Sequence, residues 1–177
     1  MRAMVNDALW RAAPPALTDS LLDCLTEPAS LSLRLQAGGR RFAVTVLSQG
    51  EDHVLADEAE ALDLAEGEPV YARHVLLTLD DAPVVFARSA ARPDCPAWLP
   101  VLRRGSRSLG LTLFGELPEL VRDPLRYALL TGGHPLAATA ARVQTAAGYP
   151  ARRCRFLLGG SPLLLTELFL PTLEEFL

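Results

Sequence analysis

Lysine is missing from this sequence altogether, and arginine supplies all 17 of its cationic side chains. Set against 21 acidic residues they leave a net charge of -4. That balance carries no electrostatic footprint of a nucleic-acid binder. The doublets Arg40-Arg41, Arg103-Arg104 and Arg152-Arg153 are too short and scattered to form a phosphate-binding stripe. Cysteine is scarce: Cys24, Cys95 and Cys154 are odd in number, widely spaced and form no C-x-x-C pair. No disulfide framework or zinc motif follows from that, and reduced thiols in the cytoplasm are the expectation. His53, His74 and His134 likewise lack ligand spacing, so no metal is expected. A glycine-rich phosphate loop, a dinucleotide fingerprint and a nucleophile elbow around Ser108 or Ser161 are all absent. The N-terminus has neither the apolar core nor the cleavage pattern of a signal peptide. The most apolar stretch, Phe156 to Leu170, is cut by Gly159-Gly160-Ser161-Pro162 and holds Glu167. It reads as a hairpin and not as a membrane span. Any catalysis must therefore work with Arg, Glu and backbone groups, without metal or cofactor.

What is present is hydrophobic. Half of the 177 residues are apolar and 21% are charged, enough for a sizeable core within one domain spanning 1–177. Thr18 or Asp19 can cap a short helix through Leu21, Leu22 and Leu25. A second helical turn can start at Ser30, although Leu31, Leu33 and Leu35 also fit period two. Phe42, Val44 and Val46 then alternate with Arg41, Ala43 and Thr45, the pattern of a half-buried strand. The acidic residues 50–69 suggest a surface excursion with a helical piece. A strand from Val70 to Leu79, a turn at Asp80-Asp81-Ala82-Pro83 and a return through Val84 to Ser89 form a hairpin. Residues 117–149 read as helical, with Leu117, Leu120 and Leu125 on one piece and an Ala-rich run from Leu136 to Ala147. The final hairpin pairs Arg153–Leu158 with Leu163–Leu170. The layout is α+β, an antiparallel sheet with helices at the start and after the middle. No exposed heptad or interface stripe argues against a monomer.

Two charged residues stand out. In a strand, side chains alternate between faces, so Glu167 shares one with Leu163, Leu165 and Phe169. The opposite face, Leu164, Thr166, Leu168 and Leu170, is almost as apolar. A carboxylate buried there unpaired costs several kcal/mol or takes up a proton. The bland alternative is an edge strand whose Glu discourages aggregation. Arg73 likewise falls with Tyr71, Val75, Leu77 and Leu79, on the more apolar face of its strand, while His74 falls on the other. Arg73 and Glu167 can pair as a structural salt bridge, or flank a cavity and bind the two ends of a small anion.

The sequence resembles the bacterial chorismate pyruvate-lyase family. The resemblance rests on Leu17-Thr18-Asp19, Tyr71 to Leu77, Pro83 to Arg88, Leu109-Gly110 with Leu113-Phe114, Arg152 to Arg155, and above all Gly160 to Pro171. It implies an antiparallel sheet with helices forming flaps over an enclosed ligand site. It also implies a cofactor-independent enzyme that converts chorismate to 4-hydroxybenzoate and pyruvate for ubiquinone synthesis. In that reading Arg73 holds the ring carboxylate, backbone amides of Leu31 and Leu109 assist it, and Glu167 faces the oxygen para to it. Arg153 or Arg155 is the candidate for the enolpyruvyl carboxylate. The family pattern tips the balance from structural salt bridge to ligand site. Departures from it include His74 where an acidic residue is common, Ser108 before Leu109-Gly110, and a longer segment between Phe114 and Arg152. The rival reading is a non-catalytic effector-binding domain of the same fold, of the kind that follows a DNA-binding domain in some bacterial regulators.

Overall fold

A computed structural model describes residues 9–103, 109, 112–113 and 119–177. The chain runs α1 (Asp19–Leu25), α2 (Leu31–Ala37), β1 (Phe42–His53), β2 (Pro69–Leu79), β3 (Ala82–Ala91) and α3 (Leu99–Leu102). It continues through β4 (Val121–Arg122), β5 (Arg126–Leu130), α4 (Pro135–Ala141), β6 (Tyr149–Leu158), β7 (Ser161–Phe169) and a 3-10 helix (Pro171–Phe176). The seven strands form one antiparallel sheet in the order β1-β2-β3-β7-β6-β4, with β5 also pairing with β6. The α+β architecture with a single antiparallel sheet is the one expected.

Local chemistry explains most of the elements. Thr18 precedes α1 with an extended backbone, but its hydroxyl turns to Glu174 and leaves the helix uncapped by a side chain. Ser30 does cap α2, its Oγ accepting from the Leu33 amide, which resolves the period-two ambiguity of 31–35 in favour of helix. Asp80 and Asp81 both adopt positive φ, 48° and 68°, the backbone of a tight two-residue hairpin. Gly159 and Gly160 make the equivalent turn between β6 and β7 at φ 57° and 80°, where a Cβ would be strained.

Both faces of the sheet are covered, which is why β3 and β7 read as nearly continuous apolar runs. On one face α1, α2, α3 and the 3-10 helix pack with Leu109 and Leu113 over Val75, Leu77, Val85, Ala87, Leu165 and Phe169. On the other, Trp10 and α4 pack over Leu76, Phe86, Ala151 and Leu168. Val54 and Leu62 extend that cover over Val70, Ala72, Ala90 and Leu164.

Two expectations fail here. Residues 119–149 are not continuously helical: Arg126–Leu130 is a strand paired with Tyr149–Arg153, and the Ala-rich helix spans only Pro135–Ala141. Residues 117 and 118 lie outside the described residues. Tyr127, Ala128 and Leu130 are buried against their neighbours, so tertiary pairing overrides the helical spacing of leucines. The acidic stretch 50–69 lies largely at the surface but lacks the expected helical piece, and part of it turns inward. β1 runs on to His53, the remainder folds into turns without a helix, and Glu58 is 2% exposed.

Glu58 is buried because Arg88 is. The Arg88 guanidinium donates to both Glu58 oxygens, at 2.7 and 3.0 Å, to Asp52 at 2.8 Å and to the His53 carbonyl at 3.1 Å. This cluster ties the 52–58 connection to the sheet on the face away from α1 and α2. The His74 ring lies on the same face, edge-on to Phe86 and 3.0 Å from Arg88. Burial, with Arg88 beside it, holds its pKa below the ordinary value. It is a packing residue.

All three cysteines are unoxidised and buried. Burial pushes the Cys24 thiol up to about 11 and Cys154 up to about 12. Thiolates are the reactive species, so alkylation of the native protein at pH 8 should leave Cys24 and Cys154 unlabelled within an hour. Full labelling should appear only in denaturant, as read by mass spectrometry. The same burial predicts alkaline instability. Unfolded thiols ionise near pH 9 while these stay protonated, so their contribution is intact below about pH 9 and declines as pH rises toward 11–12.

Candidate active site

The face covered by α1 and α2 carries a cavity. Its wall is formed by Arg73, Val75 and Leu77 of β2, Ala87 and Ser89 of β3, Leu165 and Glu167 of β7, and Val44 of β1. Ser30, Leu31 and Ser32 at the start of α2, together with Leu109, close it. The four residues singled out from the sequence, Leu31, Arg73, Leu109 and Glu167, are thus brought to one enclosure. Strand alternation does this. Arg73 pairs across to Ser89 and Glu167 to Ala87, so all four point to the same side of the sheet. Two strand spacings and a two-residue offset separate Arg73 from Glu167, about 12 Å between Cα atoms.

The interior is narrow, about 20 Å³, room for little more than one water. An aromatic acid fits only when α2 and Leu109 move outward. Arg73 is 3% exposed and Glu167 7%. Burial holds the Arg73 guanidinium below its ordinary pKa. The cation persists at neutral pH all the same, and a ligand carboxylate would offset that desolvation.

Glu167 has a partner, and it is not Arg73. Arg152 Nε donates to Glu167 Oε1 at 2.9 Å, across the β6–β7 register that sets the two residues side by side. Arg152 is 1% exposed and also donates to the carbonyls of Glu27 at 2.6 Å and of Leu25 and Ala29 at 3.4 Å. The salt bridge considered between Arg73 and Glu167 is therefore replaced by Arg152–Glu167, and Arg73 keeps its place in the cavity wall.

The sequence reading missed Arg152 and favoured its neighbours. Arg153 and Arg155 lie on the opposite face, lining a separate groove of about 270 Å³ with Asp57, Glu60, Asp123 and Arg126. Arg155 pairs with Asp123 at 2.6 Å. Arg153 donates to the Asp57 carbonyl at 2.6 Å and stacks on Trp10 at 4.7 Å. Neither lines the Arg73–Glu167 cavity, so the assignment of an enolpyruvyl carboxylate to one of them is set aside. The signal was available: Arg152 alternates in phase with Cys154 and Phe156, the buried parity of β6.

Asp57 also accepts from Trp10 Nε1 at 2.9 Å and lies 2.8 Å from His134 Nε2, while His134 Nδ1 caps α4 through the Leu136 amide. With both ring nitrogens engaged this His–Asp pair is structural. Among the described residues no cluster of three potential metal ligands occurs. No helix among them is long and apolar enough to cross a membrane.

A family model described as chorismate lyase matches residues 4–176. The chain belongs to the chorismate lyase family. A protein of Aromatoleum aromaticum named probable chorismate pyruvate-lyase is 39% identical, across 99% of this chain and 98% of that one. One of Ralstonia nicotianae with the same name is 42% identical, across 83% of this chain and 79% of that one. Among solved structures, the effector domain of PhnF from Mycobacterium smegmatis is similar with a TM-score of 0.50 at 18% identity. That match covers 81% of this chain and 89% of the domain. At that identity the likeness is one of fold alone. The chorismate lyase family and a class of regulator domains thus share this sheet, and the residues of the cavity have to separate them.

Proposed function

We propose that this protein is a cofactor-independent chorismate pyruvate-lyase releasing 4-hydroxybenzoate and pyruvate, the entry reaction of ubiquinone synthesis. The observation that supports the reading is the meeting of Arg73, Glu167, Leu31 and Leu109 around one largely apolar cavity.

Chorismate is a dianion with a strained cyclohexadiene ring. In the reaction the bond from the ring to the enolpyruvyl oxygen breaks, and the hydrogen of C4 passes to the enolpyruvyl methylene, which becomes the methyl of pyruvate. The ring becomes aromatic, so the step is downhill, and orientation with electrostatic stabilisation is what the protein has to supply. Arg73 anchors the ring carboxylate through its planar fork, and the amides of Leu31 and Leu109 support the same group. Glu167 faces the ring hydroxyl para to that carboxylate and, as its hydrogen-bond partner, orients C4 and its hydrogen toward the enolpyruvyl methylene, with no proton added to the departing ether oxygen. The apolar walls from Val44, Val75, Leu77 and Leu165 exclude water from the ring.

The test is direct. Purified protein is mixed with chorismate, without metal or cofactor, and 4-hydroxybenzoate and pyruvate are followed by chromatography. Equal appearance of both supports the lyase. Binding of 4-hydroxybenzoate without turnover supports an effector domain, the role named for the PhnF neighbour.

A second expected result concerns release. The product keeps the carboxylate that Arg73 holds, and the cavity must open to let it go. Competitive inhibition by 4-hydroxybenzoate, with Ki at or below the KM for chorismate, and a pre-steady-state burst are expected. Equal burst and steady-state rates would count against it.

A further inference from the structure

Arg152 joins two parts of the cavity that are otherwise far apart in the chain. Its Nε holds Oε1 of Glu167. Its two terminal nitrogens meet the carbonyls of Leu25, Glu27 and Ala29. Those carbonyls belong to the end of α1 and to the connection that leads directly into Ser30, Leu31 and Ser32, the side of the cavity that must move to admit a ring. A guanidinium is a rigid planar fork whose donors keep a fixed mutual geometry. The carboxylate on the sheet and the backbone feeding the cover are thus held by a single inflexible group. Among the described residues Arg152 is the one donor to Glu167 and takes Oε1, which leaves Oε2 for a ligand.

We infer that Arg152 is a positioning residue, which sets the oxygen that Glu167 presents to the ring and couples that carboxylate to the seating of the α2 N-terminus. The inference rests on the lyase reading of the cavity. Arg152 does not line the cavity, so it acts through Glu167 and not on the substrate. A purely structural ion pair would lower stability on removal but would leave ligand discrimination in the folded protein unchanged. A positioning role alters the discrimination itself.

The experiment compares dissociation constants of 4-hydroxybenzoate and benzoate by calorimetry, in the wild type and in Arg152→Lys, Arg152→Met, Glu167→Gln and Arg152→Met/Glu167→Gln. Benzoate keeps the contact with Arg73 and lacks the para oxygen. The wild type should prefer 4-hydroxybenzoate by roughly 10- to 100-fold, the value of one hydrogen bond to a charged group. Arg152→Lys keeps the charge but cannot span Glu167 and three carbonyls together. It should lose most of that preference, at least about fivefold, with benzoate affinity little changed and kcat lowered more than KM is raised. The double variant, which strands no buried charge, should show the same preference as Glu167→Gln, so the two effects do not add.

Should Arg152→Met fail to fold, Arg152→Lys and the double variant still decide the matter. A folded Arg152→Lys with wild-type preference and kcat overturns the positioning role and leaves the lyase standing. A wild type that neither binds 4-hydroxybenzoate nor consumes chorismate overturns the functional reading, and this inference with it.

Discussion

Replacing Arg73 by alanine is expected to lower kcat/KM for chorismate by a hundredfold or more while leaving the fold intact. The magnitude follows from the bond removed. A bidentate pair between guanidinium and carboxylate in a dry cavity is worth about 3 kcal/mol or more, and each 1.36 kcal/mol is a factor of ten. Two observations separate this from general damage. Arg73 lines the cavity instead of closing the Arg152–Glu167 pair. Burial also holds its pKa below the ordinary value, so the fold carries a desolvation cost at this position. Circular dichroism and a cooperative melt should show that the alanine variant still folds. Arg73→Lys keeps the charge without the fork and should fall between the two, about tenfold below wild type. A variant lacking Arg73 with near-normal turnover would remove the basis of the proposed function.

The opposite result is expected on the far face of the sheet. Arg88→Met should destabilise the protein by about 3–5 kcal/mol, because Glu58 is left as a buried carboxylate without its cation. For a chain of this size that corresponds to a melting temperature lower by roughly 6–20 °C. Once folded, the variant should retain the wild-type KM and kcat, since Arg88 and Glu58 lie away from the cavity. Adding Glu58→Gln to Arg88→Met removes the stranded charge and should recover part of the loss. Thermal denaturation beside steady-state kinetics checks both halves. A large change in KM for a well-folded Arg88→Met would mean that the two faces communicate in a way the packing does not explain.

These two arginines lie on adjacent strands, and nothing in their residue type tells them apart. Both are almost fully buried, and both occupy apolar runs. Position along the strand separates them. Arg73 shares a side with the helical cover, while Arg88, paired with His74 and Thr166, shares a side with the acidic connection. The connection supplies Glu58 and Asp52 at bonding distance. Arg73 instead borders the cavity.

Period-two alternation within each strand was enough to assign Arg73 and Glu167 to apolar faces. The Asp-Asp and Gly-Gly turns were enough to mark the hairpins, while 31–35 stayed open between helix and strand until the Ser30 cap was seen. These are local properties, set by backbone geometry over a few residues and by the turn residues that positive φ demands. Parity along β6 marks Arg152 as inward, but that it is the cation meeting Glu167 was beyond reach of such reasoning, because that depends on the β6–β7 register and on the sheet order. The strand at Arg126–Leu130 and the burial of Glu58 were hidden for the same reason. A short segment with mixed propensity takes the structure its neighbours can hydrogen-bond, and an acidic side chain goes inside when a distant arginine is already there to receive it. Local alternation and turn chemistry thus determined which side chains face inward, and only the long-range pairing of strands decided which of them meet.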